Sequence, residues 1–205
     1  MADITAAAVN EFRKITGLGL MECKSLLLEA EGNVQKALTL AKERGLKKAE
    51  LRAGRAATAG RIEVYIHHDG KTGALIEVNC ETDFVARNEE FRQLAKDLAL
   101  QVVAASPLCV LREEVDAQTV EEQKRIFMTQ VADKPENARG KIVEGKLNAW
   151  FGEVTLLDQP FIKEQSKTVR QAVAEVSART GENISIARFA RFAVGESPSP
   201  QPAQE

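Results

Sequence analysis

The residues with most chemistry to offer stand together in Asn79-Cys80-Glu81-Thr82-Asp83-Phe84-Val85-Ala86-Arg87-Asn88. An alternating apolar run, Ala74-Leu75-Ile76-Glu77-Val78, precedes them, and a helical spacing, Phe91, Leu94, Ala95, Leu98 and Val102, follows. A strand therefore hands over to a helix here. Thr82 or Asp83 serves as N-cap, because a short oxygen-bearing side chain satisfies a free amide of the first turn. Phe84 then falls in that first turn. Spacing leaves two arrangements open: an acid and a ring forming a wedge for another protein, or a capped helix whose Phe packs on the preceding strand.

Enzyme chemistry has few candidates elsewhere. No Gly-rich loop ends in Gly-Lys-Ser/Thr, and GxGxxG, HExxH and GxSxG are all missing from the sequence. The two histidines, His67 and His68, are adjacent on an alternating run, so they should point to opposite faces and not chelate one ion. Cys23, Cys80 and Cys109 are scattered without CxxC spacing, which argues against a zinc site or a disulfide framework and for a reducing compartment. Cys80 beside the wedge is either a redox-sensitive thiol or a buried inert one. No metal or cofactor is expected. The carboxylates are plentiful, but helix-face solvation accounts for them.

The chain has 205 residues, 44% hydrophobic and 28% charged, enough for a packed core and a charged surface. A formal charge of −2 carries no bulk signature of nucleic-acid binding. Ala41–Arg61 is locally basic, with Lys42, Arg44, Lys47, Lys48, Arg52, Arg55 and Arg61 against Glu43 and Glu50. No apolar run reaches a membrane span, and Met1-Ala2-Asp3-Ile4-Thr5 lacks a charged region followed by an apolar one, so a cytoplasmic protein is expected. What remains is a protein that acts on another macromolecule.

The elements that must position these residues fall into an α+β order. Ile4, Ala8, Phe12 and Ile15 mark a first helix stopped by Gly17; Met21, Leu26, Leu27 and Ala30 mark a second, closed by Gly32. Asn33 caps a third with Val34, Ala37, Leu38 and Ala41, ending at Gly45. Residues 1–45 thus read as a three-helix domain, and 46–60 as a basic flexible linker, with a transient helix at Lys47–Arg52. In the turn Gly17-Leu18-Gly19-Leu20-Met21, Leu18 and Leu20 either face a partner or pack inward.

Residues 61–194 read as a core of antiparallel sheet, about three strands, packed with helices. Arg61–His67 and Ala74–Asn79 form a hairpin across His68–Gly73. A long helix runs from Asp83 to Ala105 and is stopped by Pro107. Two more follow, one with Val120, Ile126, Phe127 and Val131 on one side, one opening at Pro135 and carrying Ile142, Val143, Leu147, Trp150 and Phe151. Asp158-Gln159-Pro160 is turn-like, Lys167–Arg179 is helical, and Ile184–Phe192 closes the sheet. The tail, 195–205, with Pro198, Pro200 and Pro202, is expected to be disordered.

Three segments resemble the elongation factor Ts family, the nucleotide-exchange factors of the translational GTPase elongation factor Tu. They are Phe12–Lys24, Glu77–Asn88, and the stretch from Lys141–Leu147 to Leu157–Ile162. The first lies in a domain similar to ubiquitin-associated three-helix domains. The resemblance implies that Thr82, Asp83, Phe84 and Val85 intrude beside the GTPase's Mg²⁺ and phosphate site, with Phe84 as apolar wedge and Asp83 orienting the segment at the helix start. It implies that Leu20, Met21 and Lys24 dock the small domain on elongation factor Tu. Mg²⁺ demands near-ideal octahedral geometry, so disturbing its shell weakens ion and phosphates together.

Magnitudes limit what one ring can do. Nucleotide bound at about 1 nM represents roughly 12 kcal/mol, whereas burying one Phe yields roughly 1.5–3 kcal/mol. The rest must come from a wide interface formed with the nucleotide-poor GTPase. Longer family members carry a duplicated half-core and a coiled coil; this chain resembles the short form, for which a homodimer through the core is implied. Rival readings are a ubiquitin-like-binding adaptor, from the three-helix domain, and an RNA-binding translation accessory protein, from the basic stretch.

Overall fold

The computed structural model describes residues 4–196. The expected disordered tail therefore lies, past Glu196, outside the described residues. The chain divides into two compact units: one holds the chain through Gly60, Asn79–Phe91 and Gln171–Ser185, the other Arg61–Val78, Arg92–Arg170 and the chain from Ile186. Three helices open it, α1 (Ala6–Thr16), α2 (Leu20–Glu29) and α3 (Val34–Arg52). Then come β1 (Ala59–Ile66), β2 (Thr72–Cys80), α4 (Asp83–Arg87), α5 (Glu89–Ala105), α6 (Ala117–Gln130) and α7 (Glu136–Val154). The chain closes with β3 (Pro160–Phe161), β4 (Glu164–Thr168), α8 (Val169–Thr180) and β5 (Ser185–Ala193), an α+β fold.

In the first unit, Thr5 caps α1 by accepting from the Ala8 amide at 3.2 Å, and Asn33 caps α3 by accepting from the Lys36 amide at 3.0 Å. Gly17 ends α1 at φ +70°, which suits a residue without Cβ. Val9, Phe12, Cys23, Leu26, Leu27, Ala30 and Ala37 make the core of this bundle, and Leu18 packs against it. The turn's two leucines thus part company, because Leu20 is exposed.

The third helix does not end at Gly45; it runs on to Arg52. A glycine stops a helix by turning left-handed, and Gly45 instead stays within the helix, close enough to α8 that an added Cβ would stand 3.6 Å from the Ala178 methyl. Side chains hold the extra turns. Beyond the glycine, Lys48 pairs with Glu22 at 2.5 Å and Arg52 donates to the Ser177 carbonyl at 3.1 Å, while Arg44 just before it pairs with Glu29. The stretch expected as a linker is therefore helical in its first part, and several of its cations already have partners.

In the second unit the sheet runs in the order β1-β2-β5 and is antiparallel. β1 stops at Ile66, and the His67 amide closes the turn on the Thr72 carbonyl at 2.8 Å. This corrects the opposite-faces argument for the histidines. Alternation ends before the pair, and the two rings lie 4.2 Å apart, centroid to centroid. A second, two-stranded sheet, β3-β4, was not expected, since neither strand alternates apolar with polar residues. Its anchor is a buried amide pair. Gln101 donates to Gln159 Oε1 at 3.0 Å and accepts from the Ile162 amide at 2.8 Å, while Gln159 donates to the Glu153 carbonyl at 2.6 Å.

The helix expected from Asp83 to Ala105 is two helices. Asn88 sits between them with ψ 139°, and its side-chain oxygen accepts from the Glu90 amide at 2.7 Å. Asparagine favours such a cap over continuing the helix, so the chain breaks and restarts there. α6 packs along α7, yet only Val131 of its expected apolar side is buried, and Ile126 is exposed. Lys146 on α7 lies over the Phe127 ring, 5.4 Å from its centroid.

Candidate partner-binding site

The handover from β2 to α4 is built inside the first unit. Thr82 is the N-cap, with extended backbone (φ −132°, ψ 155°), and its hydroxyl oxygen accepts from the Val85 amide at 3.4 Å. Asp83 occupies the first turn and Arg87 the last, both favourable to the helix dipole. Ala86 faces inward, while Thr82, Asp83 and Phe84 face solvent and Val85 is half-buried. Phe84 is 87% exposed. Of the two arrangements open from spacing, packing on the preceding strand is thereby excluded.

A residue that sequence reasoning missed fixes this corner. The Glu182 carboxylate accepts from the Glu81 and Thr82 amides, each at 3.0 Å, and from the Thr82 hydroxyl at 2.6 Å. Glu81 answers by accepting from the Asn183 amide at 2.6 Å and pairing with Arg55 at 3.4 Å. Asn183 donates its side-chain amide to the Arg55 carbonyl at 2.9 Å, and Ser177 donates to the Glu182 carbonyl at 2.5 Å. No local spacing announces these partners, which lie a hundred positions along the chain.

Cys80 is buried, and its thiol donates to the Thr82 carbonyl at 3.3 Å. Burial first, then the charges of Glu182 and Asp83, push the thiol up to about 11. Burial and the raised thiol both favour the inert alternative of the two considered for it. All three cysteines are free. Among the described residues no group of three or more His, Cys, Asp or Glu side chains could hold a metal ion, and no helix is long and apolar enough to cross a membrane.

The second candidate patch flanks the α1–α2 turn in the same unit. Leu20 is 50% and Met21 80% exposed, and Lys24 is exposed one turn on. Ile15, expected on the core stripe of α1, is instead 63% exposed. Arg179 lies beside this turn and reaches the start of α5. That side chain pairs with Glu90 at 2.9 Å, and its Cδ lies 2.9 Å from where a Cβ on Gly17 would stand. Both expected patches belong to one compact unit.

A sequence profile described as "Elongation factor TS" matches residues 3–196. The chain belongs to the elongation factor Ts family. The protein named "Elongation factor Ts" from Geobacter sulfurreducens is 50% identical over 195 residues, covering 94% of this chain and 90% of its own length. That of Finegoldia magna is 50% identical over 206 residues, with 96% and 92% covered. That of Desulforamulus reducens is 48% identical over 198 residues, with 96% and 91% covered. The family makes the chain a translation elongation factor, and the three resembling segments all fall inside the matched span.

Proposed function

We propose that this chain is the guanine-nucleotide exchange factor of elongation factor Tu: it binds the GDP-loaded GTPase and promotes release by disturbing the Mg²⁺ and phosphate site. The observation that carries the reading is Phe84, a large ring 87% exposed at the start of a helix whose first turn is pinned by Glu182. Exposing a Phe forgoes roughly 1.5–3 kcal/mol of burial, a loss recovered only when a partner covers the ring. Thr82, Asp83, Phe84 and Val85 form the intruding segment; Leu20, Met21 and Lys24 dock the α1–α3 bundle. GDP and factor then weaken each other by the same factor, as linkage requires.

On this reading the protein is not an enzyme, works in the cytoplasm, and binds neither nucleic acid nor membrane directly. The pairing of Arg44, Lys48 and Arg55 with Glu29, Glu22 and Glu81 favours it over the RNA-binding alternative. A homodimer is supported by the sheet, where Ile62, Val64 and Ile66 stand exposed at alternate positions of β1 and Leu75 of β2 and Phe192 of β5 are exposed too. The test is release of fluorescent GDP from purified elongation factor Tu in the presence of this chain. Acceleration that saturates with factor is expected. Spontaneous-rate release, with capture of ubiquitin instead, would return the chain to the adaptor reading.

A further inference from the structure

We propose that Glu182 is the positioning residue of the exchange segment: its carboxylate locks the Glu81–Thr82 backbone and so aims Phe84. The inference rests on the exchange reading above and adds to it a residue outside the resembling motifs. α4 has only five residues, too few to hold its own direction, because helix nucleation costs more than one short turn returns. Its orientation must come from outside. One carboxylate oxygen takes the two consecutive amides, at 3.0 Å each, and the other takes the Thr82 hydroxyl at 2.6 Å. Charge-assisted bonds of this kind are about twice as strong as neutral ones.

Thr82 is held at both ends by this arrangement. Its hydroxyl donates to Glu182 and accepts from the Val85 amide, so the latch continues directly into the first turn that carries Phe84. Glu182 is itself fixed, since its carbonyl accepts from Ser177 at 2.5 Å and the next amide, of Asn183, binds Glu81 at 2.6 Å. The corner is closed from both sides: Glu182 grips the Glu81 and Thr82 amides, and Glu81 grips the amide of Asn183, the residue after Glu182. Glu182 is half-buried and sits behind the exposed ring, so it acts through Phe84.

The test uses the full chain with Glu182→Ala and Glu182→Gln. Glu182→Ala should lower the limiting rate of GDP release at saturating factor several-fold, with the half-saturation concentration nearly unchanged, because Leu20, Met21 and Lys24 still dock. Glu182→Gln keeps an acceptor for the amides and should recover most of the rate. Adding Glu182→Ala to Phe84→Ala should slow release no further than Phe84→Ala alone. Hydrogen exchange on the isolated protein should show the Glu81 and Thr82 amides losing protection in Glu182→Ala while the core amides keep theirs. Wild-type limiting rates in Glu182→Ala, an additive effect with Phe84→Ala, or unchanged amide protection would each overturn the positioning role. If the wild type itself releases no GDP, the exchange reading fails and the inference with it, whatever the amide protection shows.

Discussion

At the scale of single residues, two side chains are explained by what surrounds them. Gly17 combines φ +70° with the close approach of Arg179, so Gly17→Ala meets strain twice. The left-handed backbone alone costs about 1–2 kcal/mol with a Cβ. Arg179 would in addition have to shift away from its Glu90 partner. Urea unfolding should show the variant less stable by at least about that amount; equal midpoints would remove the structural reason for this glycine. Cys80 carries a thiol pushed from 9.0 to about 11. A group raised in the folded state keeps its proton while the unfolded chain loses its own, so this contribution to stability is intact below 9 and is lost as pH rises through about 11. Alkylation of native Cys80 should accordingly stay slow at pH 8, and fast labelling there would contradict its burial. The sequence narrowed the cap to Thr82 or Asp83 and put Phe84 in the first turn because both follow from local rules; the structure makes Thr82 the cap. The sequence misplaced Ile15, because a helical stripe read from spacing does not say where the core stops.

At the scale of elements, local chemistry was legible and distant partners were not. Gly17 and Gly32 turn left-handed and stop helices as their positions suggest, but Gly45 stays helical, and beyond it Lys48 and Arg52 bond Glu22 and the Ser177 carbonyl. The break at Asn88 was hidden because its neighbours keep helical spacing on either side. Its side-chain cap on Glu90 is what separates α4 from α5. Asn88→Ala should remove that cap at a cost of about 1 kcal/mol, read as a shift in the urea midpoint. It should also let α4 and α5 merge toward one helix, read as a changed Phe84 environment by NMR. A stability and spectrum identical to wild type would mean the break has another cause. The β3-β4 hairpin was invisible because its strands hold almost no apolar pattern; buried Gln101 and Gln159 position it, and polar residues rarely announce burial in a sequence.

At the scale of the whole molecule, the fold class and the family were readable in the sequence. The segments through Gly60, Asn79–Phe91 and Gln171–Ser185 share one unit through bonds such as Arg52 to Ser177, which chain order cannot reveal. The exposed sheet face makes the dimer testable. Val64→Glu places a carboxylate among Ile62, Ile66 and Leu75, and burying it unpaired would cost several kcal/mol. Sedimentation should show a wild-type dimer and a monomeric variant with an unchanged circular dichroism spectrum; a monomeric wild type would contradict the dimer.

The central claim is that Phe84, working within a wider docked interface, is the wedge that speeds release. Stopped-flow release of fluorescent GDP from elongation factor Tu, measured at saturating factor for wild type and Phe84→Ala, tests it most directly. Losing about 1.5 kcal/mol or more of transition-state contact predicts a limiting rate lower by at least about tenfold, with docking largely preserved. A Phe84→Ala protein as fast as wild type would contradict the account.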